Sequence, residues 1–387
     1  MRAPLGKMTA RGFLKRHWQK SPCLIRQAFP AFVSPISAAD LAGLACESGM
    51  ESRLVMRTRS SPGWRVRHGP FKPKDFDALP EKNWTLLVQD CDKYLSSLAD
   101  LLLHFSFIPN WRIDDLMISY ATAGGSVGPH VDAYDVFLLQ AQGRRRWDIT
   151  RKSQRPLHKP GLDLKLVRVF QPEHSWILEP GDMLYLPPGV AHHGVALGEC
   201  MTFSIGFRAP SDAELLNDLS GVLMARLNPE SRYADPDLKP ANADPGLLTR
   251  ATRSAIRRRL RTAWSMPAAQ LDEWFGCLVT ESKPWLTPSK PRRKLSAAAL
   301  WRKLAAGTKL ARSPAARFAW FNAARRGIKL FANGRCRTLP PRLAPVVQRL
   351  CRTRVFVAKD LQPCKHDPRG RTLLAELYNS GLLQWHE

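Results

Sequence analysis

Residues 124–147 read GGSVGPHVDAYDVFLLQAQGRRRW. Glycines at 124, 125 and 128 and Pro129 interrupt the chain, an apolar run follows from Val136 to Leu139, and Gly143 interrupts it again. That is the rhythm of a strand between turns in an antiparallel barrel. Side chains two apart on a strand share a face, so His130 and Asp132 offer an imidazole and a carboxylate to one point. This is two-thirds of a metal site. A turn histidine beside a solvated aspartate is the plain alternative, and a third ligand is needed to choose.

Further on, Pro180-Gly181-Asp182-Met183-Leu184-Tyr185-Leu186-Pro187-Pro188-Gly189 describes a turn, a buried strand and a second turn, and His192 follows, sixty residues beyond Asp132. Two histidines and one aspartate on one face of a metal leave three positions open. That is the facial triad of non-haem Fe(II) oxygenases. Zinc hydrolysis would use similar ligands, but zinc favours tetrahedral closure, and no general-base Glu stands nearby in sequence. His193 is adjacent to His192 and must point away from it, so only one of the pair joins the site. His17, His68, His104, His158, His174, His366 and His386 have no partner at ligand spacing.

An oxygenase that uses 2-oxoglutarate needs a cation inside the barrel, and a guanidinium holds a carboxylate with two parallel hydrogen bonds. Arg144, Arg145 and Arg146 are the candidates. Strand alternation separates Arg145 from the other two and puts it on the parity of Trp147. All three on a solvated hairpin edge is the alternative. Ser119, on the preceding apolar stretch 116–120, offers a hydroxyl. Asp114 and Asp115 read as the end of a turn, with contact to a cationic substrate as the alternative.

The neighbouring texture supports this architecture. Short apolar runs at 86–88, 116–118, 136–139 and 183–186 alternate with turns, and a helix over 39–47 carries Ser37 and Asp40 as possible caps. After Pro210 the spacing turns helical, with helices expected at 212–223, 247–263 and 267–280 whose apolar stripes favour pairing with a second copy, a homodimer, over packing back on the sheet domain. Pro284, Pro288 and Pro291 mark a linker. Beyond it, helices at 296–306, 343–350 and 373–378 and a hairpin turning at Asn333-Gly334 fit a winged-helix arrangement. The fold class is therefore α+β. Residues 1–210 form a double-stranded β-helix (cupin-type) catalytic domain with N-terminal helices, 211–282 a helical dimerisation segment, 283–295 the linker, and 296–387 a basic winged-helix-like domain.

The formal charge is +26, from 59 Lys+Arg against 33 Asp+Glu in 387 residues, which predicts affinity for polyanions. Residues 281–387 hold 23 Lys+Arg and 5 Asp+Glu and so supply +18 of it. There Arg302, Lys303, Lys309, Arg312, Arg317, Arg325, Arg326, Lys329, Arg335 and Arg337 lie among Trp301, Phe318, Trp320, Phe321 and Phe331. The mix suits RNA backbone contacts with base stacking, or else an aromatic core under a solvated basic face. Eight cysteines with no CxxC pair read as thiols of a reducing compartment. With no signal-like or membrane-spanning run, a cytoplasmic protein is expected.

The runs HWQKSP (17–22), SPISAADLAGLACESGMESRLV (34–55), WRIDDLMISY (111–120), GGSVGPHVDAYDVFLLQAQGRRRW (124–147), LEPGDMLYLPPGVAHHG (178–194) and MTFSIGFRAP (201–210) together resemble the JmjC-domain ribosomal oxygenases, and most closely their bacterial arginine-hydroxylating members. The resemblance is strong from Phe13 to Pro210 and holds only in outline in the tail. It implies Fe(II) held by His130, Asp132 and His192, selecting His192 over His193, and 2-oxoglutarate held by Arg145 and Ser119. It further implies hydroxylation of an arginine side chain on a large-subunit ribosomal protein, with succinate and CO2 as co-products. Histidine hydroxylation or lysine demethylation by the same chemistry is the neighbouring reading. An rRNA-binding assembly factor on a degenerate barrel is the distant one, and the basic C-terminal domain suggests an rRNA contact under either.

Overall fold

Twelve strands precede residue 208: β1 (Cys23–Ile25), β2 (Ser52–Arg57), β3 (Trp64–His68), β4 (Trp84–Val88), β5 (Ile113–Ala121), β6 (His130–Val131), β7 (Val136–Gln142), β8 (Arg145–Ser153), β9 (His174–Leu178), β10 (Met183–Leu186), β11 (Val190–Ala196) and β12 (Cys200–Phe207). They come from a computed structural model that describes residues 3–58, 63–153, 164–208, 210–236, 246–324 and 327–386. His158, Arg325 and Arg326 lie outside these residues. The strands form an eight-stranded sheet in the order β1-β10-β7-β12-β5-β4-β2-β3 and a four-stranded sheet in the order β6-β11-β8-β9. All their pairings are antiparallel. Side chains of both sheets line one cavity, as a double-stranded β-helix requires.

Alternation assigns the faces of the large sheet. On β12, Met201, Phe203, Ile205 and Phe207 pack into the main apolar core with Phe13, Leu41, Phe105 and Phe137. Between them, Ser204 and Gly206 face the cavity, while Thr202 donates to Gln140 Oε1 at 3.1 Å. A strand buried on both faces, yet polar on one, belongs to a sheet with helices on its outside and a site on its inside. The helices on the outside are Ala10–Arg16, capped by Thr9, and Ala38–Cys46, capped by the reciprocal Ser37 and Asp40 pair. Phe13 alone packs edge-on or tilted against Trp18, Phe107, Phe137 and Tyr185. The short helices Pro73–Asp77, Cys91–Tyr94 and Ser96–Leu101 were not legible in the sequence, being too brief to show a period.

Residues 210–278 form a separate compact unit. Its helices are Asp212–Met224, Arg250–Ala263 and, running on past the unit, Ala268–Thr280. The second begins three residues later than the periodicity suggests, because Thr249 accepts from the Thr252 amide and sets the N-cap. Within the unit, Trp274 Nε1 donates to Asp218 Oδ1 at 2.6 Å.

Residues 279–387 cluster with residues 1–209 as one compact unit. Two three-stranded sheets, β13 (Leu310–Arg312) with β17 (Val355–Phe356) and β18 (Leu383–Trp385), and β14 (Phe318–Asn322) with β15 (Ile328–Ala332) and β16 (Arg335–Leu339), join helices Ala297–Ala305, Ala344–Arg352 and Pro368–Asn379. The β15–β16 hairpin turns at Asn333-Gly334 with φ of 44° and 74°, the paired left-handed conformation this dipeptide favours. Four of the five aromatic residues offered for base stacking are structural. Phe318 lies in the core, with Trp301 and Trp320 packed against it, and Phe331 is buried.

The stretch 283–295 is irregular, as a linker should be, but it is not loose. Lys283 Nζ reaches Asp90 at 2.8 Å, and two tail arginines do likewise, Arg317 to Asp114 at 3.0 Å and Arg354 to Asp100 at 2.6 Å. All eight cysteines are free. No helix among the described residues is long and apolar enough to cross a membrane.

Candidate metal centre

His130 sits on β6 directly opposite His192 on β11, and their ring centroids are 4.2 Å apart. Asp132 follows just past the end of β6, where its carbonyl accepts from the Gly189 amide at 2.8 Å, so the Pro187–Gly189 turn holds both ligand segments together. Its carboxylate lies 4.0 Å from His130 Nε2 and 3.6 Å from His192 Nε2. The three ligand atoms lie within 4.8 Å of one another.

The hydrogen bonds of the rings test whether a metal fits. His130 Nδ1 lies 2.9 Å from Gly128 O and His192 Nδ1 3.0 Å from Val190 O. A carbonyl only accepts, so each Nδ1 carries the proton and each Nε2 is left with a lone pair aimed at Asp132. Burial, assisted by the neighbouring His130, holds the His192 pKa down at about 4, so this ring is neutral at physiological pH. Two neutral imidazoles and a carboxylate on one side of a point are the donor set of the facial triad. His193 takes the opposite face of β11, pairs with Asp148 and lines a different hollow, with Arg57 and Trp64.

Arg145 is 5% exposed, whereas Arg144 and Arg146 are exposed and Arg146 pairs with Asp148. Its Nη1 donates to Ser119 Oγ at 3.2 Å, while Nε and Nη2 are buried with no partner. The nearby Trp147 Nε1, its ring 5.7 Å from the guanidinium, is likewise orphaned. Burying such donors unpaired is costly, so the arrangement fits an anionic ligand that completes them. Arg145 pairs with Ala196 and Ile149 with His192, so four strand residues, roughly 13 Å, separate the guanidinium backbone from the metal ligands.

The cavity between these groups is about 120 Å3 and adds Arg53, Met117, Tyr134, Leu138 and Asp115 to the lining. Asp115 corrects the sequence reading. It and Asp114 lie inside β5 rather than at a turn, with Asp114 paired to Arg317 and Asp115 directed into the cavity. The parity of Asp115, Met117 and Ser119 on one strand would have shown this. Burial, with the charges of Asp90, Asp92 and Asp114, pushes the Asp115 pKa up to about 7. Gly206 leaves it space, since a Cβ there would come within 3.2 Å of Asp115 Oδ1 and 3.7 Å of the Tyr134 ring.

Comparison with known proteins agrees with this geometry. Residues 100–215 match the JmjC domain and residues 260–384 a ROXA-like winged helix. Over 369 residues the chain is 38% identical to the ribosomal protein uL16 3-hydroxylase of Escherichia coli K12, covering 95% of each protein. The chain belongs to the JmjC-domain ribosomal oxygenases. A crystal structure of the E. coli oxygenase YcfD superposes with a TM-score of 0.88 at 35% identity over the whole of both chains. Another structure of YcfD, in complex with cobalt and 2-oxoglutarate, superposes with a TM-score of 0.84 at 35% identity, covering 98% of this chain and 99% of that one. This oxygenase therefore shares its barrel and its C-terminal winged helix with that protein.

Proposed function

We propose that the chain is an Fe(II)- and 2-oxoglutarate-dependent oxygenase that hydroxylates an arginine side chain of a large-subunit ribosomal protein, releasing succinate and CO2. The carrying observation is that one cavity joins the His130, Asp132 and His192 triad to a buried guanidinium with unpaired donors and to a buried carboxylate. When bound, the metal and cosubstrate activate O2 so that one oxygen atom enters succinate and the other an unactivated side-chain carbon.

The residues of the chain supply position and dryness. His130, Asp132 and His192 hold the metal through two Nε2 atoms and a carboxylate oxygen. Arg145 holds the distal carboxylate of 2-oxoglutarate through Nε and Nη2, with Ser119 fixing the guanidinium and Trp147 Nε1 a third donor nearby. Met117, Val136 and Leu138 wall the cavity and exclude water. Asp115 and Tyr134 meet the cationic substrate side chain. A carboxylate that is costly to ionise alone becomes favourable once a guanidinium pairs with it. The alternative of a non-catalytic scaffold is disfavoured by the complete triad and by donors that only a ligand would satisfy.

In this reading residues 1–210 are catalytic, 211–282 pair two copies through apolar side chains left exposed at Leu216 and Leu271, 283–295 connect, and 296–387 contact rRNA in the cytoplasm. The name of the E. coli relative makes uL16 the first substrate to try. Incubation with Fe(II), 2-oxoglutarate and uL16 peptides should release succinate and add one oxygen to one arginine by tandem mass spectrometry. Peptide-independent succinate release with every arginine unmodified would refute the assignment.

A further inference from the structure

Positive charge as dense as any in the tail also lies outside it. Helix Arg250–Ala263 reads RATRSAIRRRLRTA, with six arginines in 14 residues. No Asp or Glu occurs from Pro245 to Leu271. All six arginines are exposed. Among the described residues none has an ion pair, and the one guanidinium hydrogen bond runs from Arg259 Nη2 to Ser231 Oγ at 2.8 Å. In the tail, by contrast, six of the 23 Lys and Arg have an ion pair among the described residues. Besides the ties to the barrel, Arg342 pairs with Asp367, Arg349 with Asp360 and Arg337 with Glu376.

Helical geometry sorts the six. Arg250, Arg253, Arg257 and Arg261, at spacings of three and four, form one row about 16 Å long with Arg258 beside it, and Arg259 faces away. Ile256 and Leu260, 40% and 56% exposed, flank that row, and Trp264, 52% exposed, continues its edge. Like charges at three- and four-residue spacing oppose helix formation, so the row costs stability unless a polyanion neutralises it. An ordinary solvated helix alternates the two signs.

We propose that this row is a docking surface for the phosphate backbone of RNA. The choice of RNA rests on the ribosomal-protein reading above; the row itself does not. Each guanidinium is a planar fork that takes phosphate oxygens in pairs, and Trp264 offers a ring on which an unpaired base can stack. The apolar stripe, Ile256, Leu260 and Trp264, is too narrow to bury a helix in a lipid surface, which needs a broad apolar face opposite the cations.

The test uses the full chain and a labelled RNA hairpin, with fluorescence anisotropy followed between about 50 and about 200 mM salt. Gln keeps helix propensity, so the R253Q/R257Q/R261Q protein folds as the parent, verified by circular dichroism. Losing three phosphate contacts should flatten the slope of log K against log salt by about 2 to 3 and weaken binding about 100-fold near 0.1 M salt. R259Q should leave the slope unchanged. Succinate release on a short uL16 peptide should be the same in all three proteins. A triple variant with the parental slope overturns the proposal, as does parental binding to anionic vesicles but not to RNA. Parental protein that binds RNA with the expected slope but never turns over 2-oxoglutarate instead removes the hydroxylase reading and leaves this surface standing.

Discussion

Replacing Arg145 by Met should stabilise the empty protein and disable the loaded one. Two of the guanidinium nitrogens are buried without partners, and among the described residues no carboxylate lies within ion-pair reach. Each orphaned donor costs about 1–3 kcal/mol, and Met removes both while its unbranched stem fills much of the same volume. Subtracting about 1 kcal/mol for the lost bond to Ser119 leaves a net gain of about 1–5 kcal/mol, a rise of a few degrees in melting temperature. The cosubstrate carboxylate loses two charge-assisted hydrogen bonds worth about 1.5–3 kcal/mol each. At 1.4 kcal/mol per decade, the KM for 2-oxoglutarate should rise by about 10² to 10⁴. Calorimetric melts with and without 2-oxoglutarate under anaerobic conditions, paired with succinate-release kinetics, read both effects. Saturating 2-oxoglutarate should raise the melting temperature of the parent and leave that of the variant alone. A variant that melts lower when empty and keeps the parental KM would refute the argument that Arg145 is held unpaired for a ligand.

The remaining tests probe other parts of the cavity. Asp132→Ala removes the anionic ligand between two neutral imidazoles, so a Co(II) titration followed by absorbance should show at least about a 100-fold loss of affinity, beyond what outer partners of metal ligands cost. The Asp115 pKa is raised to about 7, so its carboxyl is mostly protonated below that pH and ionised above it. The KM for an arginine peptide should therefore fall as pH rises through about 7, and Asp115→Asn should remove that dependence and raise the KM about 10- to 100-fold, the loss of a charge-assisted bond. At Gly194 an added Cβ would lie 2.7 Å from ring carbons of Trp147. Gly194→Ala should cost about 1–3 kcal/mol of stability in chemical denaturation and weaken 2-oxoglutarate binding, since the displaced indole packs over Arg145.

The metal ligands were the most legible feature because their geometry is local. His130 and Asp132 are two residues apart, and His192 follows a turn, strand and turn whose Gly and Pro residues mark their own boundaries. Strand alternation likewise singles out Arg145 from its neighbours, and register explains why His192 rather than His193 joins the site. Asp115 was placed at a turn because two adjacent aspartates look like one when burial is unknown, so contact with a cationic substrate stood only as the alternative. Once β5 is seen, its alternation places Asp115 on the face of Ser119. The basic row of helix 250–263 was passed over because net charge counts a guanidinium equally whether it is paired, buried or free.

Period, turn residues and composition determine, from the sequence alone, that a strand-rich barrel with two histidines and an aspartate precedes a helical segment and a basic α+β tail. These properties depend on neighbours within a few positions, and a linear pattern records them. The tertiary structure decides which donors are left unpaired, that one aspartate holds its proton to about pH 7, and which cations remain to meet a partner. Desolvation and Coulomb energy depend on what surrounds a group in space, and antiparallel register sets those surroundings by joining residues far apart in the chain.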